Sequence, residues 1–268
     1  MVSSEKKHLK RCETVMLAAL KSSGKILKDN IRVKKQIRDK GNTGVDIVTQ
    51  VDLKSEKNII GRISKAFPDH AIMAEESLRQ ESKGFKWIID PLDGTINFSH
   101  SFPNCTVSIA LENKGKVIMG GVFDPFRNEL FFAQKGKGAT LNGKRISVSK
   151  VPKLNRALLC TGFPYDLRQG NNADRYLKLF KKFLLSAQAV RRCGSAAMDL
   201  CYLACGRFDG FWELKLNPWD TGAAQLIVTE AGGRVTTFSG KPFSLYQEEI
   251  LASNKKIHAE MVKVLKKR

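Results

Sequence analysis

The stretch Trp87-Ile88-Ile89-Asp90-Pro91-Leu92-Asp93-Gly94-Thr95-Ile96-Asn97-Phe98 constrains this chain more than any other. A short apolar run ends in a carboxylate. A second carboxylate stands three positions later, and Gly, Thr and Asn follow it closely. This is the profile of a buried strand running into a tight acidic turn that opens a helix. Pro91 restricts the turn, and Gly94 lets the backbone approach a ligand closely. Two carboxylates spaced in this way can point into one small volume, with the Leu92 carbonyl between them. Hard cations such as Mg2+ take oxygen ligands of this kind. Amides at a helix start suit a phosphate. Glu75-Glu76 upstream and Trp219-Asp220 downstream are candidates to complete the set. Each signal taken alone also has an ordinary meaning: turn carboxylates, an exposed charged pair, and a helix cap at Asp220.

The rest of the chain mixes periods. Apolar residues at steps of three and four predict helices over 4–29 and 52–67, the second stopped at Pro68. A loop at Gly41-Asn42-Thr43-Gly44 precedes a short strand over 45–48. Further strands are expected over 71–74 and 85–89. Between Thr106 and Ala133 the pattern turns to β, with a turn at Asn113-Lys114-Gly115 and a hairpin signal at Asn142-Gly143. The second half alternates, with strands near 158–162, 189–191 and 208–212. Helices cover 173–185, 195–205 and 219–231, the last stopped by Gly232-Gly233. A short strand and a basic helix close the chain. Such mixing predicts an α/β (α+β) layered sandwich, not a barrel or a bundle. At 268 residues the chain can form a single unit, with a change of pattern near Val151-Pro152-Lys153 dividing two lobes, roughly 1–150 and 151–268.

Charge is the unusual part of the composition: 46 Lys+Arg against 26 Asp+Glu, a net +20. The basic residues fall in scattered pairs such as Lys34-Lys35 and Lys181-Lys182. This argues for a solvated basic surface that steers anionic substrates, and makes nucleic acid a less favoured partner. Six irregularly spaced cysteines without a secretion signal read as reduced core thiols. No apolar run is long enough to span a bilayer, so no membrane partner and a cytoplasmic location are expected. The four histidines all lie outside the acidic segments, which suits metal-and-carboxylate chemistry better than a phosphohistidine.

Three segments, Ala74-Glu75-Glu76-Ser77, Asp90 to Phe98, and Trp219-Asp220-Thr221-Gly222-Ala223-Ala224, resemble the signature motifs of the inositol monophosphatase family in order and spacing. The likeness runs from Asp46-Ile47-Val48-Thr49 to Thr229-Glu230-Ala231-Gly232-Gly233. The resemblance implies an αβαβα sandwich of the inositol monophosphatase/fructose-1,6-bisphosphatase type, usually a homodimer. It implies a lithium-sensitive phosphatase with two or three Mg2+ ions, acting on a small phosphorylated polyol or sugar, inositol 1-phosphate foremost. Carried over by motif, Glu75, Asp90, the Leu92 carbonyl, Asp93 and Asp220 are metal ligands, and Gly94 and Thr95 hold phosphate. Asp46 and Thr95 orient the attacking water, with Glu75 assisting. Asp93, Asp220, Glu213 and the Gly194-Ser195-Ala196 loop face the substrate. The same resemblance keeps other substrates in view: fructose 1,6-bisphosphate, a nucleotide 3′-phosphate, NADP or histidinol phosphate. It also admits a role as an RNA or transcription-complex partner, as in some bacterial relatives. Phe163-Pro164-Tyr165-Asp166 resembles the bacterial branch. Lys215 departs from the pattern, since a small residue more often stands there. It either faces solvent or enters the pocket to favour a second anionic group.

Overall fold

The computed structural model describes residues 2–40, 44–77, 80–82 and 84–266. The expected loop at 41–44 lies outside the described residues except for Gly44. In chain order the elements are α1 (Val2–Asn30), β1 (Ile37–Asp39), β2 (Ile47–Thr49), α2 (Gln50–Ala66), β3 (Ala71–Ala74), β4 (Phe85–Asp93) and α3 (Thr95–Ser99). Then come β5 (Thr106–Asn113), β6 (Lys116–Asp124), β7 (Glu129–Gln134), β8 (Ala139–Leu141) and β9 (Lys144–Arg145). The second half holds β10 (Leu158–Thr161), α4 (Asn172–Leu184), β11 (Ala189–Arg191), α5 (Ala196–Ala204) and β12 (Gly210–Leu214). The chain continues through α6 (Pro218–Glu230), β13 (Arg234–Thr236), β14 (Glu249–Ser253) and α7 (His258–Lys266).

Strands β3 to β9 form a seven-stranded sheet in sequence order, and a five-stranded sheet runs β11-β10-β12-β14-β13. Alternation along each strand sorts side chains into layers. On β4, Trp87 and Ile89 join the core built with Met16 and Leu20 of α1 and Ile59 and Ile63 of α2. Ile88 points the other way, into a core shared with Leu200 of α5 and Ile227 of α6. That central core also takes Cys160 and Phe211 from the inner face of the five-stranded sheet. The outer face, with Leu159 and Trp212, is covered by Phe183 of α4 and Met261 of α7. The layers are therefore α1–α2, seven strands, α5–α6, five strands, α4–α7: the expected αβαβα sandwich. Helix α6 lies against β6 so closely that a β-carbon on Gly120 would stand 2.7 Å from the Ala223 carbonyl oxygen.

Two strand expectations needed revision. The tail contains two strands, β13 and β14, not one. Strand β14 lies between β12 and β13, and its Ile250-Leu251-Ala252 run is buried on both faces, so no polar alternation marks it. Strand β4 also runs four residues past Ile89. All six cysteines are free thiols. Among the described residues no helix is long and apolar enough to cross a membrane.

Candidate active site

The extension of β4 carries the site. Against β5, Asp90 sits opposite Ser108 and Asp93 opposite Thr106, so three steps on one strand meet two on the other. In a regular strand residues three apart face opposite sides. The inserted residue of this bulge restores Asp93 to the side of Asp90. Pro91, which has no N–H to offer a ladder, occupies the irregular stretch. Its carbonyl accepts from Ser55 Oγ at 2.8 Å. Asp90 is 1% exposed and accepts from the Leu92 amide at 2.9 Å. Gly94 then takes φ +93°, and a β-carbon there would lie 2.9 Å from the Asn104 carbonyl oxygen. The helix it opens, α3, has only five residues, so its dipole adds little and the local donors matter more.

Helix α2 supports this strand end from behind. Asp52, Ser55 and Glu56 lie at helical steps of three and four and are all buried. The Asp52 carboxylate closes a capping box, accepting from the Thr49 amide at 2.9 Å and the Thr49 hydroxyl at 2.5 Å. Its other oxygen, Oδ1, lies 3.1 Å from Thr95 Oγ1. The same hydroxyl lies 3.0 Å from the Leu92 carbonyl. This corrects the expected pairing of Thr95 with Asp46. Asp46 precedes β2, its side chain is 36% exposed, and one oxygen stands 3.9 Å from Lys40 Nζ. Asp52 is the carboxylate that reaches Thr95, because the first turn of α2 points it inward. The sequence did carry a signal for it: Thr49-x-x-Asp52 is a capping pair, and 52, 55 and 56 share a helix face with Ile59 and Ile63.

Glu75 follows β3, its amide bonded to the Ile89 carbonyl at 3.2 Å. The loop after it is tied to α2: the Glu76 amide donates to Glu56 Oε2 at 2.8 Å and Ser77 Oγ to Glu56 Oε1 at 2.5 Å. Lys40 Nζ donates to Glu75 at 2.9 Å and to Glu76 at 2.6 Å. Asp220 is the third residue of α6 and accepts from the Asn217 amide at 2.6 Å. It is thus both a helix cap and a member of the acidic group. Asp93 accepts from Ser195 Oγ at 2.6 Å and the Ala197 amide at 2.8 Å, which docks the start of α5 onto β4. Ser195 also caps α5 through the Met198 amide. Its proton is therefore given to Asp93, while the residue still lines the pocket.

The carboxylates raise one another's proton affinity. Burial first, then Glu75, Asp93 and Asp220, push Asp90 well above the carboxylate range. Burial first, then Glu75 and Asp93, do the same to Asp220. Burial outweighs the Lys40 contacts in raising Glu75. Asp93 is pushed up to about 6 by burial, against its hydrogen bonds from Ser195 and the α5 amides. Burial likewise raises Asp52 to about 6. Crowded acids of this kind are relieved by cations.

Asp93, Gly94, Thr95, Glu213 and Asp220 line a single pocket, with Ser195 and Ala196 in its wall. Glu213, on β12, is 8% exposed, and burial followed by Asp199 and Asp220 raises it strongly. The Asn97 and Asn104 amides fix the wall by donating to the Cys193 carbonyl at 2.8 and 3.0 Å. Lys215 also lines the pocket, and its ammonium pairs with Asp166. Among the described residues no three His, Cys, Asp or Glu side chains close on one point as a finished metal cage. The donor set nevertheless fits Mg2+, which is held by one or two carboxylates, waters and substrate oxygens in preference to an all-protein cage. Glu75, Asp90, Asp93, Asp220 and the Leu92 carbonyl are the oxygens available to it.

The chain is similar to known proteins in sequence and in fold. Residues 8–268 match the inositol monophosphatase family. An inositol-1-monophosphatase from Synechocystis is 47% identical over 232 residues, 86% of this chain and 80% of the relative. The Nus factor SuhB of Pseudomonas aeruginosa is 42% identical over 246 residues, 90% of this chain and 91% of the relative. The crystal structure of extragenic suppressor protein suhB from Bartonella henselae matches with a TM-score of 0.89 at 38% identity, over 96% of this chain and 98% of that one. Three motifs in order, a five-layer fold and these matches agree: the chain belongs to the inositol monophosphatase family.

Proposed function

We propose that this protein is a Mg2+-dependent phosphatase of small phosphorylated polyols, with inositol 1-phosphate as the principal substrate. The observation that carries the reading is the Thr95–Asp52 contact beside the buried carboxylates Asp90 and Asp93, with burial, Glu75 and Asp220 raising Asp90. Glu75, Asp90, Asp93, Asp220 and the Leu92 carbonyl hold two or three ions. Bound Mg2+ supplies positive charge against the phosphoryl oxygens and lowers the cost of deprotonating water. Asp52 accepts the Thr95 proton as a hydrogen bond, which leaves the Thr95 oxygen free to accept from the attacking water. Gly94 and Thr95 hold the phosphate at the pocket wall, and Glu213 faces the polyol hydroxyls. No covalent intermediate on the protein is required.

The test is phosphate release from inositol 1-phosphate with and without Mg2+ and Li+, beside a panel of fructose 1,6-bisphosphate, nucleotide 3′-phosphate, NADP and histidinol phosphate. A preference for any of these over inositol 1-phosphate overturns the substrate assignment. Absence of Mg2+-dependent turnover on all of them overturns the phosphatase reading. We read the protein as a cytoplasmic homodimer, which light scattering and cell fractionation test. The +20 charge and the Nus factor relative favour a second reading, a transcription-complex partner that binds RNA. Affinity for RNA that falls steeply with salt supports it, and no binding at moderate ionic strength removes it.

A further inference from the structure

Lys215 stands at φ +58°, in the left-handed region that penalises any side chain with a β-carbon. Six non-glycine residues among those described adopt positive φ, and Lys215 is the one that lines the active-site pocket. Its backbone N–H donates a hydrogen bond to the Glu248 carbonyl at 2.5 Å. A strained conformation kept at a pocket wall points to a use for the side chain. The ammonium does not extend freely toward the pocket. It pairs with Asp166 Oδ2. That carboxylate is itself held from α4: Asn172 Nδ2 donates to Oδ2 at 2.9 Å and Tyr176 Oη to Oδ1 at 3.0 Å.

The two partners come from different connections. Lys215 belongs to the link from β12 to α6, between Glu213 and Asp220. Asp166 belongs to the link from β10 to α4, directly after Phe163, Pro164 and Tyr165, which line the same pocket. The bridge therefore ties together two walls and cancels the charge of a lysine that is otherwise well placed to meet an anion. Arg192 is the other cation of the wall, and its charge acts weakly on Glu213 against the effect of burial.

We propose that the Asp166–Lys215 pair is a specificity device that neutralises the lysine of the pocket rim and so selects esters bearing a single phosphate over bisphosphates. The proposal rests on the reading of this pocket as a phosphomonoesterase site. The pair is partly exposed, with the lysine side chain 43% accessible, so its effect is on charge and wall geometry and little on fold stability.

The experiment compares fructose 1,6-bisphosphate with inositol 1-phosphate, as the ratio of kcat/KM and as the ratio of Kd by calorimetry. The proteins are wild type, Asp166→Asn, Lys215→Gly and the double variant, each checked by thermal melting. Asp166→Asn frees the ammonium and is expected to raise the bisphosphate-to-monophosphate ratio by about fivefold or more, with the gain shrinking as salt rises. The double variant is expected to lose the gain, because the cation is gone. Asp166→Ser makes the same prediction and serves if the asparagine variant does not fold. A ratio that stays within about twofold of wild type, or a gain that survives in the double variant, overturns the proposal. If the monophosphate is hydrolysed and the ratio does not move, the device fails alone. If neither ester is bound or turned over by any of the proteins, the device fails together with the phosphatase reading.

Discussion

The floor and the rim of the pocket are built in opposite ways. The floor, Asp90 to Thr95, is a single stretch of chain on a bulged strand, backed by the buried stripe Asp52, Ser55 and Glu56 of one helix. The rim is assembled from three separate segments: Phe163 to Tyr165, Arg192 to Ser195, and the end of β12 with the link after it, Glu213 to Asn217. Regular elements hold groups to tight tolerances, and connections vary without unfolding the sandwich. The floor is therefore where bond-breaking geometry belongs, and the rim is where substrates are told apart.

The sharpest way to break this contrast is at the floor. Asp93→Asn, in the floor, and Asp220→Asn, at the start of α6 in the same pocket, are each expected to lower phosphate release by at least about 100-fold, more than the loss of an outer support costs a metal site. A direct phosphate assay at saturating Mg2+ reads this, and wild-type turnover in both would end the assignment. Asp52→Asn should cost about 100-fold in kcat, whereas Asp46→Asn should stay within about threefold. Equal losses in the two would restore Asp46 to the role given to Asp52 here.

Supports of the floor come next. Glu56→Ala leaves the Glu76 amide and the Ser77 hydroxyl without their acceptor, which should cost about 1–3 kcal/mol in urea unfolding. Lys215→Gly, at the rim, removes both an exposed ion pair and a left-handed side chain, so its urea midpoint should move less than that of Glu56→Ala.

A group remote from both regions gives the smallest effect and a control on pH. His258 is buried between Thr236 Oγ1 and Ser253 Oγ, each at 2.8 Å, and burial followed by Arg234 lowers it from 6.5 to about 4. The unfolded chain takes up this proton near pH 6.5 and the folded protein only near pH 4. Its contribution to stability is therefore complete above about 6.5 and declines as pH falls toward 4. The difference in Tm between wild type and His258→Gln should narrow over that window. A difference that is flat between about pH 7.5 and 4.5 would show that folding leaves the proton affinity of His258 unchanged.

The floor was largely legible in the sequence because its ligands sit in short contiguous motifs. Asp90 and Asp93 announce themselves by an apolar run and a glycine, and Glu75 and Asp220 by neighbours at characteristic offsets. Asp52 was not picked out, since Asp46 and Asp52 flank the same short strand and only the first turn of α2 decides which one faces Thr95. Ser195 was read as a substrate contact because its position in a pocket loop was visible. That its hydroxyl serves Asp93 depends on a contact across 102 residues. The tail reads in sequence as one short strand where β13 and β14 both stand.

What the sequence determined by itself was local: the helix and strand periods, the kink imposed by Pro91, the turn that needs Gly94, and the acidic residue types a hard cation requires. Sheet register decided that Asp90 and Asp93 share a side, since one inserted residue against β5 reverses the direction of everything after it. Layer packing decided that α2 stands behind the strand end, and it brought Lys215 to Asp166 across 49 residues. Backbone preference acts over a few residues, whereas the partners of a buried charge are chosen by whichever distant surfaces the hydrophobic layers press together.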